Sequence, residues 1–261
     1  MKFDMHCHTK EGSIDSRTPI KKYIELLQEQ GFSGMLITDH DSYKGYEYWY
    51  THRSEMPEDF VVLKGIEYDT KDAGHYIVIM PDNVHLPVLK TRGMSVDMLI
   101  KLVHHYGGIL GPAHPFGVRS ASAMFFKRVH RNPELLHEFD FLEGFNTCET
   151  VKANRLAQAL ARCHNLQCFG GSDSHREKYV GTAFTVFDRD VKCNDDLIAA
   201  VKDRGVAAFG GKEREFLRKH KARNAFYATW SFKAYNRSLS FLFTPVRKHK
   251  LKSLNFHHHS A

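Results

Sequence analysis

Imidazole and carboxylate side chains fall in short clusters along this sequence, and their spacing points to divalent-metal chemistry. His6-Cys7-His8 sets two imidazoles two residues apart. On a strand both face the same way, spaced to chelate one ion, while Cys7 faces the other way into packing. Thr38-Asp39-His40-Asp41 follows the apolar pair Leu36-Ile37. Packing does not readily explain two acids and a histidine there; the plainer alternative is a turn in which Asp39 caps the next helix. Glu67 closes one apolar run and His75 opens the next. A carboxylate bridges two ions through its two oxygens, and a nearby histidine ligates one of them. Gly111-Pro112-Ala113-His114-Pro115 holds a histidine at a rigid run end, and Gly170-Gly171-Ser172-Asp173-Ser174-His175 adds another acid and imidazole. Mixed donors of this kind suit Zn, Mn or Fe. Singly, Glu67 reads as a solvated strand end and His75 as a satisfied strand histidine. Ligand-type residues at this many separate strand ends do not read as coincidence.

For these side chains to meet, the chain must deliver them to one edge of one sheet. Residues 3–8 read as a short strand. Residues 19–30 read as a helix in which Pro19 suits the first turn and Ile20, Tyr23, Ile24 and Leu27 share a face. Further strands are expected over 34–38, 61–67, 75–80, 109–112, 139–145, 166–170 and 183–187, and helices over 96–106, 153–164 and 195–202. Repeated strand–helix units imply a parallel sheet covered by helices. His6, His8, Asp39, His40, Glu67, His114, Asp173 and His175 then stand at or just past the carboxyl end of a strand, where parallel α/β folds build their sites. Residues 121–138, with Phe125-Phe126-Lys127-Arg128, are an insertion expected to lid or flank the pocket.

The ordered set resembles the PHP (polymerase and histidinol phosphatase) superfamily. Its pattern is HxH at the first strand, TDH after the second, a strand-end Glu followed by a His, an AHP-type His and a terminal GSD-x-H. The resemblance covers roughly residues 1–210. It implies an α/β fold, a distorted seven-stranded (β/α) barrel with its metal site at the carboxyl ends of the strands. It also implies two or three divalent ions, Mn, Fe or Zn. Carried over residue by residue, His6, His8, Glu67 and Asp173 hold the first ion. Glu67 bridges to the second, completed by His75 and His114. His40 and His175 hold the third with one ligand from the loop after His8. That loop departs from the family's usual Ser-Asp-Gly or His and reads Lys10-Glu11-Gly12-Ser13-Ile14-Asp15-Ser16. Asp15 is the expected ligand, with Glu11 the alternative.

The resemblance implies a phosphoesterase that cleaves a phosphomonoester of a small metabolite or nucleotide with a metal-activated hydroxide. In that reaction Asp39 is expected to orient a ligand histidine, His175 or a metal-bound water to protonate the leaving oxygen, and Arg119 to grip the substrate phosphate through its fork. The main alternative is a nuclease acting on oligonucleotides. A non-catalytic interaction module is a poorer fit, because such modules usually lose ligands and here the principal positions are filled.

Composition narrows the class further. A chain of 261 residues, 42% hydrophobic, builds a core without disulfides. Its five cysteines show no CxxC pair, which fits a reducing cytoplasm. No apolar run is long enough to span a bilayer, and with a histidine motif so near the start no signal peptide is expected. The net charge of +7 is unevenly placed: residues 212–261 hold 12 Lys and Arg against 2 acids. Residues 1–211 are therefore expected to form the hydrolase domain, with 212–261 a basic, aromatic extension packed on or beside it. Cations and rings together suit a nucleic-acid backbone and bases; the plainer reading is a tail wrapped on the barrel.

Overall fold

The computed structural model describes residues 1–214, apart from Glu58 and Arg119, together with residues 244–246, 248 and 249. Its elements run β1 (Lys2–Cys7), α1 (Ile20–Glu29), β2 (Gly34–Ile37), α2 (Lys44–Thr51), β3 (Val61–Thr70), β4 (Gly74–Ile79), α3 (Val96–His105), β5 (Ile109–Pro112), α4 (Lys127–Arg131), β6 (Phe141–Asn146), α5 (Val151–Cys163), β7 (Gln167–Gly171), β8 (Ala183–Phe187), α6 (Asn194–Lys202) and β9 (Val206–Gly211).

Helix α1 forms where the apolar spacing expects it. Pro19 occupies the N-cap, and Ile20, Tyr23, Ile24 and Leu27 are buried against Met35, Ile37 and Val62 of β2 and β3. Each buried side chain of this size contributes roughly 1.5–3 kcal/mol, so this face fixes the helix to the sheet. On the opposite side α3 and α5 bury Leu99, Val103, Leu156 and Leu160 in a second cluster. A third, containing Phe3, Met5, Leu63, Ile77 and the stacked pair Phe141–Phe169 (ring centres 4.2 Å apart), joins strands from all around the sheet to α6.

Seven strands form one curled sheet in the order β5-β4-β3-β2-β1-β8-β9, and β6 and β7 form a separate parallel pair. The pair bridges the sheet's curl. Asp140 N donates to Leu110 O at 3.0 Å beside β5, and Asp173 N donates to His6 O at 2.9 Å beside β1. Cys7 and Ser174 form an isolated parallel bridge. The result is the distorted barrel with its site at the carboxyl ends of the strands.

Its strands are not all parallel, and here the expectation is corrected. β1, β2 and β3 are parallel, but β4 runs antiparallel to both β3 and β5, and β8 and β9 run antiparallel to their neighbours. The link from Thr70 to Gly74 is too short for a parallel crossover, which takes a dozen residues or more. The reversal is useful: it brings the amino end of β4, and with it His75, to the edge where the other strands end.

The insertion at residues 121–138 contains α4, and Ala121 O accepts from His75 N at 2.8 Å. Most of the 212–261 extension lies outside the described residues. Described contacts link it to the barrel: Lys212 N donates to Thr182 O at 2.7 Å, Arg214 Nη1 to Cys148 Sγ at 3.2 Å, and Thr244 Oγ1 to Val118 O at 3.3 Å, in the loop after His114.

Candidate metal centre

Glu67 is the hub of the carboxyl-end pocket. It stands on β3, 1% exposed, with five imidazoles around its carboxylate. Oε1 lies 2.7 Å from His75 Nδ1 and 2.8 Å from His114 Nε2. Oε2 lies 3.0 Å from His40 Nδ1, 3.2 Å from His8 Nε2 and 3.4 Å from His6 Nε2. Oε2 is buried yet makes no hydrogen bond. A buried carboxylate oxygen left in that state is costly unless a cation supplies what the protein does not.

The other ligand-type residues close around it. His6 and His8 place their Nε2 atoms 3.1 Å apart, as alternation along β1 requires. Asp173 Oδ1 lies 3.2 Å from His8 Nε2 and 3.6 Å from His175 Nδ1. Asp15 Oδ2 lies 3.3 Å from His175 Nε2 and 3.9 Å from His40 Nε2. Three overlapping sets have the spacing of metal ligands: His6, His8 and Glu67; His40, Glu67 and His75; His8, His40 and His175. Converging lone pairs on imidazole and carboxylate fit divalent ions.

Electrostatics sharpens this. Burial alone would push Glu67 up, but the neighbouring charges of His40, His75 and His6 hold it well below the usual carboxylate range. Asp173 and Asp15 are likewise held low against burial, Asp173 chiefly by His6 and Asp15 chiefly by His175. His8 is pushed down by burial and by the adjacent rings of His175 and His40, which leaves it neutral and able to donate a lone pair.

The backbone at this edge is bent to aim these groups. Asp41, His114 and Asp173 adopt positive φ of 46°, 32° and 49°, a region costly for residues with side chains. The bends are pinned. Glu67 O accepts from Asp41 N at 3.0 Å, and His6 O accepts from Asp173 N. Glu143 Oε2 accepts from His114 N at 2.6 Å.

Glu143 was not anticipated from sequence, and it is central. Its Oε1 lies 2.9 Å from His6 Nδ1, so it fixes which nitrogen of His6 faces the cluster. Asn146 Nδ2 donates to Glu143 Oε2 at 3.0 Å and to Asp173 Oδ2 at 3.3 Å, joining the two acids. A Cβ on Gly171 would collide with His6 and Glu143, so this approach needs glycine. The available signal was an acid inside the apolar run Phe141-Leu142-Glu143-Gly144-Phe145.

Asp39 does not touch a ligand ring. It is fully buried and accepts from Thr9 N at 2.7 Å, Thr9 Oγ1 at 2.8 Å and Ser13 Oγ at 2.9 Å. Ser13 Oγ in turn lies 3.2 Å from His8 Nδ1 and accepts from His40 N at 3.2 Å. Burial pushes Asp39 up to about 7 against the pull of these hydrogen bonds. Glu11 is engaged elsewhere: its Oε2 accepts from Ile20 N at 3.1 Å, at the start of α1. Arg119 lies outside the described residues.

This geometry agrees with comparison against known proteins. A family model described as the PHP domain matches residues 4–177. The chain belongs to the PHP-domain family. A second model, described as PHP-associated, matches residues 151–206, so PHP-type sequence runs on through α6. Among solved structures, PsfC from Pseudomonas syringae PB-5123 is similar with a TM-score of 0.61 and 17% identity, over 91% of this chain and 98% of that one. A two-domain protein from Bacteroides vulgatus, containing a predicted PHP-like metal-dependent phosphoesterase, gives 0.59 and 14%, over 81% of this chain and 65% of that one. Endonuclease Q, in complex with a 27-mer duplex carrying an abasic lesion at its active site, gives 0.58 and 15%, over 89% of this chain and 66% of that one. At these identities the likeness shows the shared PHP fold. A comparison with curated protein sequences finds no match. Among the described residues no helix is long and apolar enough to cross a membrane.

Proposed function

We propose that this PHP domain hydrolyses a phosphomonoester of a small metabolite or nucleotide, using Mn, Fe or Zn held at the Glu67 hub. The observation that carries the reading is the buried Glu67 carboxylate ringed by five imidazoles, with Oε2 lacking a hydrogen bond. His6, His8, Glu67 and Asp173 would hold one ion. Glu67, His75 and His114 would hold a second, and His40, His175 and Asp15 a third. Ions bound there supply Lewis acidity and lower the pKa of a bound water toward neutrality.

The remaining chemistry belongs to the chain. Glu143 orients His6, and its contact with the His114 backbone keeps that ring aimed at Glu67. Asp39 acts through Ser13, holding the loop that supports His8 and His40. His175 is the most exposed ring of the cluster, its side chain 27% accessible. Burial opposes its protonation, but the Asp15 carboxylate outweighs that and raises its pKa. His175 is proposed to carry a proton to a leaving oxygen only where the third ion is absent, since the same ring would otherwise serve as its ligand. Arg119, five positions after His114 in the sequence, is proposed to hold the substrate phosphate.

The likeness to Endonuclease Q and the basic extension favour one second reading, cleavage of a nucleic-acid phosphodiester. Phosphate release from small phosphomonoesters and cleavage of short oligonucleotides, each with Mn, Fe or Zn and with a chelator, separates the two. Metal-dependent turnover of a small phosphate supports the first reading, and turnover of oligonucleotides alone supports the second. No turnover of either with any of the three metals overturns both and leaves a non-catalytic module.

A further inference from the structure

The loop that carries His175 also carries polar groups that the reading above leaves unused. The helical turn Glu177–Tyr179 follows His175 almost directly. Lys178 Nζ stands 4.6 Å from the centre of the Tyr179 ring, and the Arg214 guanidinium carbon 3.9 Å from it. Arg214 Nη1 also donates to Cys148 Sγ at 3.2 Å, and that thiol donates to the Asp173 carbonyl at 3.3 Å. Arg214 is thus one thiol away from the backbone of a proposed metal ligand.

Neither cation has a carboxylate partner among the described residues, whereas Arg92, Arg128 and Arg189 all do. Two positive charges gathered on one ring repel each other, and stacking on the ring offsets only part of that. Burial would raise the pKa of the Tyr179 hydroxyl, and the neighbouring Lys178 and Arg214 lower it. Ammonium, guanidinium and phenol O–H therefore gather at the turn that follows His175, with no carboxylate of the described residues paired with either cation. Phosphate, with several acceptor oxygens, matches that set of donors.

We propose that Lys178, Tyr179 and Arg214 form an anion cradle that takes a phosphate of the substrate other than the one being hydrolysed. The site would then prefer a bisphosphorylated ligand to a simple monoester. This assignment rests on the phosphoesterase reading for the identity of the ligand, but the cradle as an anion site does not.

The test has two arms, both on the full chain. In the first, inorganic sulfate is titrated calorimetrically into the wild type and into a Lys178→Gln/Arg214→Gln double variant, with Tyr179→Phe as a milder change. Loss of two charge-assisted contacts is expected to weaken sulfate binding roughly a hundredfold, with a smaller loss for Tyr179→Phe. Circular dichroism and thermal unfolding check that the variants stay folded. In the second arm, KM and kcat are compared for fructose 6-phosphate and fructose 1,6-bisphosphate with Mn present. The wild type is expected to show a lower KM for the bisphosphate, and the double variant to lose that advantage. Equal sulfate binding in folded wild type and double variant overturns the cradle. Sulfate binding that depends on these residues, with no preference for the bisphosphate, keeps the anion site and overturns the second-phosphate assignment. If no phosphate ester is turned over by the wild type, the phosphoesterase reading fails, and the sulfate arm still decides the cradle.

Discussion

Glu143→Gln is the substitution that most directly probes how this centre is held. Every neighbour of the Glu143 carboxylate offers it a hydrogen: His6 Nδ1 at 2.9 Å on one oxygen, and His114 N at 2.6 Å and Asn146 Nδ2 at 3.0 Å on the other. An amide of the same shape has one acceptor and one NH2 group. Whichever way it turns, its own hydrogens meet a donor. Either His6 loses the contact that fixes its ring, or the bent backbone at His114 loses its anchor. A hydrogen bond to a charged group contributes about 1.5–3 kcal/mol. Loss of one is therefore expected to weaken metal binding roughly ten- to hundredfold, the range typical for partners of a ligand histidine. Competition for Mn or Zn against a chromophoric chelator measures this without any need for turnover, and circular dichroism confirms that the variant is folded. A competition curve unchanged from wild type in a folded variant would refute the claim that Glu143 holds His6 for a metal.

His8→Ala and Asp173→Ala are each expected to abolish metal-dependent phosphate release while the far-ultraviolet spectrum stays native; full activity in either variant would sink the ligand assignment. Asp15→Asn should lower the metal content measured by plasma emission spectrometry, whereas Glu11→Gln should leave it unchanged and cost about 0.5–1 kcal/mol in urea unfolding, because Glu11 serves the start of α1. The buried Asp4 gives a pH signature. Burial raises its pKa to about 6 from the ordinary aspartate value of 3.8, against opposing hydrogen bonds from Ser172 and His6. The folded chain therefore binds more protons than the unfolded chain between those values, and Asp4 makes stability fall as pH rises through that window, by about 3 kcal/mol in all. Asp4→Asn keeps an acceptor for Ser172 N and should remove that slope in urea titrations of the metal-free protein; a slope equal to wild type would mean that Asp4 is ionised in the fold.

Much of the centre was legible because its signals are local. An HxH pair on a strand must face one way, and His6 and His8 do. Helices α1, α3, α5 and α6 begin and end within two residues of where apolar spacing puts them. The third-ion ligand was left between two acids in one loop, and the structure separates them by what each touches. Helix α2 was missed because Lys44–Thr51 carries aromatic residues on several faces, with only Gly45 buried. The reversed direction of β4 was within reach, since a three-residue link permits only a hairpin, but repeated strand–helix units argued for a parallel sheet.

What the sequence alone determined is the identity of the donors and the strand ends that carry them, because side-chain alternation and strand termination are short-range properties. Only the tertiary structure decided that one carboxylate, Glu67, gathers five imidazoles, that Glu143 orients His6 from 137 residues away, and that Asp39 supports the ligands through Ser13. The first and last arise where the ends of β1 to β5 converge in the curled sheet, and the Glu143 contact depends on how the β6–β7 pair bridges the curl between β5 and β1. That arrangement is set by the packing of Phe3, Phe141 and Phe169 across the whole sheet, and no window of the sequence contains it.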